Sequence, residues 1–281
     1  MDMRIGTSPG ESLLHRMPSR HPIVVRMIDP AQALSGFAVG TIVGLTGVGG
    51  GSLMTPVLVL VFGIHPATAV GTDLLHAAIT KAGGTYVHAT KGRVDWRIVR
   101  LLATGSLPAA ALTLLALHTF TDGLGGSKII TITLGVALLL TAIALTLRTR
   151  LRSFSKAHDP VVPRHPVYTI ASGAVLGVVV SLSSVGAGAL GITALFFLYP
   201  RLPAARIVAS DLAHAVPLTL LAGLGHWLFG SVDWTLLASL LVGSLPGIYI
   251  GSHFAGHVPE RILRFLLAAM LMLVGGKLVA F

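Results

Sequence analysis

The sequence contains no cysteine, which removes disulfides, thiolate nucleophiles, iron–sulfur clusters and cysteine-based zinc sites from consideration. It is also poor in charge. Of 281 residues, 11% are charged and 53% hydrophobic, and the mean hydropathy is +0.84, against roughly 25% charged residues in an ordinary soluble domain. These values exclude a water-soluble globule. Residues 1–30 hold Arg4, Arg16, Arg20 and Arg26 among Pro, Ser and Gly. They lack the apolar core and small-residue cleavage site of a signal peptide and read as a mobile tail. No Gly run is followed by Lys and a hydroxyl residue, so a P-loop is missing. No His or carboxylate group has metal-ligand spacing, no Ser/His/Asp arrangement is legible along the chain, and no cofactor is expected.

What remains is long uncharged stretches. Apolar segments run over approximately residues 34–62, 66–90, 98–118, 127–147, 168–199, 204–229, 235–255 and 262–281, each at least the ~20 residues a helix needs to cross hydrocarbon. The expected fold is an all-α polytopic protein, multi-pass in the cytoplasmic (inner) membrane. The net charge of +10 sits mostly between the apolar runs, where topology accounts for it, so nucleic acid is not an expected partner. The stretch Arg148 to Pro166 carries five basic residues and three Pro. It divides the chain into a tail (1–33), a first membrane repeat (34–147), a basic linker (148–167) and a second membrane repeat (168–281).

The halves match each other. SGFAVGTIVGLTGVGGGSL from Ser35 aligns with SGAVLGVVVSLSSVGAGAL from Ser172. After a one-residue slip, Asp73, Leu74 and His76 fall on Asp211, Leu212 and His214, and His88 falls on His226. Gly92, Val94, Asp95 and Trp96 fall on Gly230, Val232, Asp233 and Trp234, and the GSLP at Gly105 recurs at Gly243. Similar apolar helices share Leu and Ala by chance, but not an ordered series of Asp, His, Trp and Pro. Duplicated halves are the usual construction of secondary transporters, which rock around a site at the repeat interface.

The first segment of each half is interrupted by glycine. Consecutive Gly49, Gly50 and Gly51 cover a whole helix circumference at ~1 kcal/mol each relative to Ala. They therefore predict a break, or a re-entrant turn, rather than a packing stripe. Gly36, Gly40 and Gly44, four apart, fit close helix packing. Backbone donors at such a break suit an anion. The expected binding residues are Thr46, Gly47, Val48, Gly49, Gly50, Gly51 and Ser52 in the first copy. Ser183, Ser184, Gly186, Ala187 and Gly188 are their counterparts in the second. Gly186, Gly188 and Gly191 formally match a dinucleotide fingerprint, but they lie in a long apolar segment rather than after a strand. Asp73 with His76, and Asp211 with His214, are spaced i, i+3 and share a helix face. Ionisable pairs at membrane depth are expected to be functional, here as proton carriers. Lys81 lies about 12 Å further along the helix at 1.5 Å per residue, has no counterpart in the second half and is a candidate anion ligand. His88 and His226 at segment ends, and Trp96 and Trp234 at segment starts, read as interfacial, and Pro108 and Pro246 as helix kinks.

The segments GTIVGLTGVGGGSLMTPVL and AVGTDLLHAAITKAGGTYVH, the repeated G-x-V-D-W and the repeated GSLP resemble the sulfite exporter TauE/SafE family of permeases, over about residues 34–281. The resemblance implies movement of a small anion such as sulfite, thiosulfate, an organosulfonate or a carboxylate. Asp73 and Asp211 stand where many relatives carry Ser or Asn. The expected function is a secondary transporter, an exporter linked to protons, rather than an enzyme. The alternatives are a passive channel or cation carrier using Asp73 and Asp211, and a membrane-embedded enzyme. Expected partners are the lipid bilayer, the anion and protons, and a homodimer is compatible with the sequence. If the first and fifth segments are re-entrant, the halves are inverted. Outside the tail, 13 Lys and Arg then face the cytoplasm and 2 the exterior, against 10 and 5 for eight full spans. The positive-inside bias favours inversion and an external C-terminus.

Overall fold

Each of the eight apolar segments is helical, and the first and fifth divide in two. The computed structural model describes residues 28–46, 51–120, 131–143, 146, 166–186, 188–254 and 260–280. The helices are α1 (Pro30–Thr46), α2 (Gly51–Leu60), α3 (Pro66–Thr90), α4 (Trp96–Phe120), α5 (Thr131–Ile143), α6 (Pro166–Ser183), α7 (Ala189–Leu198), α8 (Ala204–Leu228), α9 (Trp234–Phe254) and α10 (Glu260–Ala280). No strand occurs among the described residues. Among them, α4, α6, α8 and α9 are long and apolar enough to cross a membrane. At 25 residues, α3 is equally as long as α4 and α8, but it carries Asp73, His76 and Lys81. Every residue from Ala69 to Ala78 is buried, so this stretch of the helix is wrapped by protein around its full circumference.

Small residues set the two tightest seams. A Cβ on Gly36 would stand 2.6 Å from the Leu240 carbonyl oxygen, and one on Gly40 2.5 Å from that of Ser244. Gly44 lies against Ile248 and Ser252, while Gly243, Gly247 and Gly251 of α9 press on Ala33, Phe37 and Thr41 of α1. The numbers rise together, so α1 and α9 run parallel. The same arrangement joins α4 and α6, where Gly173 and Gly177 meet Leu102 and Ser106, and Gly105 meets Ile170. Backbone-to-backbone approach of this kind is how helices gain dispersion contact where lipid supplies no hydrophobic drive. The Gly36, Gly40 and Gly44 stripe is thus a packing stripe, as its spacing indicates.

The central pair is antiparallel. Gly84 of α3 faces Leu212 of α8, Leu75 faces Gly223, and Gly71 faces His226 and Ser231. Two capping contacts fix the flanking helices. The Asp95 N–H donates to Ser210 Oγ at 2.8 Å and the Asp233 N–H to Thr72 Oγ1 at 3.1 Å. The Asp95 and Asp233 carboxylates themselves accept from the first free N–H groups of α4 and α9, the usual Asp N-cap. With these contacts, α4 runs parallel to α8 and α9 parallel to α3. Trp96 and Trp234, the first residues of α4 and α9, are exposed. Pro108 and Pro246 lie inside α4 and α9 without ending them.

Both divided segments turn back on themselves. The Tyr199 hydroxyl, just past the end of α7, shares a 2.7 Å hydrogen bond with Thr169 Oγ1 at the start of α6, so α7 returns alongside α6. Likewise α2 pairs antiparallel with α3 through the short 61–65 connection, and α3 runs the same way as α1; α2 therefore runs against α1. Ten residues make α2 and α7 about 15 Å long, half of the ~30 Å hydrocarbon thickness.

Candidate functional site

The α6–α7 turn is built from backbone that only special residues adopt. Gly186 and Gly188 have φ of 109° and 136°, and Ser184, which is not glycine, has φ of 57°. A left-handed non-glycine residue is uncommon, and its strain is tolerated where surrounding contacts hold it. Here the Ser184 hydroxyl donates to Asp73 Oδ2 at 3.0 Å. Thr55 of α2 donates to the same oxygen at 2.5 Å. Asp73 is fully buried and is thereby held between α2 and the α6–α7 turn. Its other oxygen, Oδ1, accepts no hydrogen bond and lies 3.6 Å from His76 Nδ1.

His76 continues the chain of contacts. Its Nε2 shares a 2.7 Å hydrogen bond with Ser244 Oγ of α9, inside the second GSLP. On the other side, His214 Nε2 shares a 2.7 Å hydrogen bond with Ser106 Oγ of α4, inside the first GSLP. Each imidazole is thus held by a serine from the opposite half of the chain. Asp211 is buried on the α8 face that meets α7, where a Cβ on Gly191 would collide with its Oδ1. Glycine at 191 is what makes room for the carboxylate. Lys81 is 4% exposed and lies within electrostatic reach of Asp211, Asp73 and His214. Asp73, His76 and Lys81 of α3 and Asp211 and His214 of α8 are all buried, and they lie at successive levels along the antiparallel pair, because Leu75 faces Gly223 and Gly84 faces Leu212.

The anion-binding residues read from the Gly-rich stretches are placed differently. In the first copy, Thr46 ends α1, Gly51 and Ser52 open α2, and Gly47, Val48, Gly49 and Gly50 lie outside the described residues. In the second, Ala187 is outside them as well. Ser183 Oγ donates to the Val179 carbonyl at 2.6 Å and accepts from the Val185 N–H at 3.2 Å. The N–H groups of Leu190 and Gly191 both reach the Gly186 carbonyl at 3.2 Å. Much of the turn's donor capacity is satisfied within the turn, and Ser184 serves Asp73.

His226 corrects the sequence reading. It is 1% exposed, and its Nε2–H donates to the Ser181 carbonyl at 2.9 Å; it is a buried strut between α8 and α6, not an interfacial residue. The antiparallel packing of α8 on α3 places its end beneath Gly71, which chain position alone does not reveal. Ser106, Ser244 and Thr55 are contacts that sequence reasoning missed. For the two serines a signal existed, since a polar residue inside an apolar helix recurs within a verbatim tetrapeptide.

The sulfite exporter TauE/SafE family matches residues 32–278. The chain is 40% identical to the Bacillus subtilis protein named "Probable membrane transporter protein YjnA" over 250 residues, covering 88% of this chain and 98% of that one. It is 28% identical to the "Probable membrane transporter protein YdhB" of the same organism, covering 81% and 91%. A "Probable membrane transporter protein" of Xylella fastidiosa is 27% identical, with 79% and 82% covered. No solved structure matches significantly.

Proposed function

Because the chain belongs to the sulfite exporter TauE/SafE family and is a multi-pass membrane transporter, we propose that it moves a small anion by alternating access around the buried side chains of Asp73, His76, Lys81, Asp211 and His214. The observation that carries this reading is the position of these groups. They are buried along the two central helices, and each histidine is held by a serine from the opposite half. Polar groups at that depth cost several kcal/mol unless used or paired. Lys81 supplies the positive charge for an anion such as sulfite, thiosulfate, an organosulfonate or a carboxylate. The Asp/His pairs supply proton sites. Loading from the cytoplasmic side of an inner membrane, with export as the direction, follows the family name.

The repeats 34–147 and 168–281 are read as inverted, on either side of the 148–167 linker. Four features support this. The corresponding helices α3 and α8 are antiparallel, α5 and α10 also run against each other through Gly135 and Gly275, the His–Ser pairs are reciprocal, and both divided segments turn back as re-entrant hairpins. Inverted repeats let one architecture open alternately to each side.

A membrane enzyme is the second reading, because Asp73, His76 and Ser244 have the connectivity of a hydrolytic triad. Ser244 sits inside α9, however, and the Gly40 backbone packs on its carbonyl. Helical N–H groups at that position are already paired and cannot cradle an oxyanion. Counterflow in proteoliposomes tests the proposal. A labelled anion from the set of sulfite, thiosulfate, sulfonates and carboxylates should enter faster against unlabelled anion inside. Conductive flux without such stimulation would identify a channel, and stimulation by cations alone a cation carrier.

A further inference from the structure

Two surface grooves open at opposite ends of the bundle. One lies between the starts of α4 and α6 and the end of α7, has a volume of about 110 Å³ and is lined by Asp95, Arg97, Ile98, Leu101, Tyr199 and Leu202, together with Pro166. The other lies between the starts of α1 and α9, where Asp29, Gln32, Asp233, Thr235 and Leu236 contribute to it. In the alignment of the two halves these are the same place: Asp95 corresponds to Asp233, Arg97 to Thr235, Ile98 to Leu236 and Pro166 to Asp29. The charge has nevertheless diverged. Arg100 stands one turn along α4 from Arg97, Arg201 lies between Tyr199 and Leu202, and Arg206 is in the first turn of α8; all four arginines are exposed. Their counterparts in the other half are Ala238, Gly63 and Thr68, with Thr235 in place of Arg97. One groove is thus ringed by arginine, and the other is lined by two carboxylates and no basic side chain.

The faces on either side of the basic groove are those of a lipid contact. Arg97 and Arg100 begin an exposed stripe on α4 that continues through Thr104, Pro108, Ala111 and Leu115, without another charge. From Arg97 to Leu115 it runs about 27 Å at 1.5 Å per residue, close to the ~30 Å of hydrocarbon in a bilayer. On α6 the exposed stripe is Tyr168, Ala171, Val175 and Val178. Exposed Trp96 marks the headgroup level beside the arginines. Neither Arg97 nor Arg100 has an ion-pair partner among the described residues. The one carboxylate in the groove is engaged, since Asp95 Oδ1 accepts from the Arg97 and Ile98 N–H groups at 3.1 and 3.4 Å. We propose that this groove binds the phosphate of an anionic phospholipid, held by Arg97 and Arg100, with the glycerol and upper acyl chain against Ile98, Leu101, Tyr199 and Leu202. A guanidinium offers a phosphate two parallel donors, and the apolar lining continues into the lipid-facing stripes where the chains lie. The site belongs to the end of the bundle that bears the linker, and the acidic groove at the other end repels the same headgroup. The inference is independent of what the central helices carry.

The test is native mass spectrometry of the full-length protein, stripped of lipid in detergent and titrated with dioleoylphosphatidylglycerol or dioleoylphosphatidylcholine. The two lipids share their acyl chains and differ in headgroup charge. The first phosphatidylglycerol should bind at least fivefold more tightly than the first phosphatidylcholine, because each basic residue near the membrane surface contributes about a fivefold preference for an anionic lipid. Equal binding of the two overturns the inference. Soluble glycerol 1-phosphate in millimolar excess should leave the bound phosphatidylglycerol in place; its displacement identifies a site for free small anions and overturns the lipid assignment. Both comparisons use the parent chain and need no variant to fold. Arg97→Gln should weaken phosphatidylglycerol about fivefold and leave phosphatidylcholine unchanged. Lys91→Gln removes a charge at the same end but outside the groove lining, and should weaken phosphatidylglycerol by less than twofold. Equal losses in the two variants would show attraction by the general surface charge and overturn the site.

Discussion

At the scale of single residues, the site depends on hydroxyls that convert costly buried groups into paired ones. His76 and His214 each have one serine on Nε2. Removing that hydroxyl leaves a buried ring nitrogen without its partner, at a cost of about 1–3 kcal/mol. Ser244→Ala and Ser106→Ala should therefore both lower the thermal stability of detergent-purified protein and both slow counterflow. The two effects should be similar in size, because the contacts are reciprocal. Parental flux in either variant would remove the serines from the site. Gly191→Ala tests the opposite half from another direction, since the added methyl collides with the Asp211 carboxylate. Expected is protein that still assembles but exchanges anion several-fold more slowly; unchanged exchange would show that Asp211 moves freely and is not held by α7.

At the scale of helices, the α1–α9 and α4–α6 seams are backbone contacts and cannot yield without separating whole helices. Gly247→Leu inserts a branched side chain where a Cβ already meets the Phe37 carbonyl; overpacking of this kind costs typically 1–3 kcal/mol. A loss of monodisperse protein on size-exclusion chromatography, in proportion to lost flux, is the expected outcome. Gly83, on α3, is the control, because a Cβ there meets nothing within 4 Å. Gly83→Ala should leave assembly intact and gain up to ~1 kcal/mol of helix propensity. Equal tolerance of both variants would show that the seams are loose. These seams join helices from opposite halves of the chain, so any rocking motion carries α1 with α9 and α4 with α6.

At the scale of the molecule, the absence of cysteine provides a clean topology assay, since any introduced cysteine is the sole thiol. In the inverted arrangement the linker and the 91–95 and 199–203 connections share one side, while the 61–65, 121–130 and 229–233 connections and the C-terminus share the other. The basic residues assign the first side to the cytoplasm. In intact cells an impermeant maleimide should label Ser127→Cys and spare Ala157→Cys until the membrane is opened. A C-terminal alkaline phosphatase fusion should be active. Labelling of Ala157→Cys from outside, or a C-terminal fusion that fluoresces in the cytoplasm without phosphatase activity, reverses the orientation.

Hydropathy made the helical membrane class and the eight apolar segments legible, because spanning length and burial in lipid are properties of contiguous residues. The ordered match of Asp73, His76 and Trp96 with Asp211, His214 and Trp234 made the duplication legible as a sequence pattern, and glycine content located where the first and fifth segments divide. Helix spacing likewise put each Asp beside its His. What the chain could not state was which partner each group meets across helices. Ser244 on His76, Ser106 on His214, Ser184 and Thr55 on Asp73, and Ser181 on His226 all join residues that are distant in sequence or on different helices. Local periodicity fixes which face a side chain takes, but only the packing of one helix on another decides what lies opposite it. The direction of each short returning helix has the same origin. Ten apolar residues are equally compatible with continuing or turning back, and the contacts of α2 with α3, and of Tyr199 with Thr169, settle that they return.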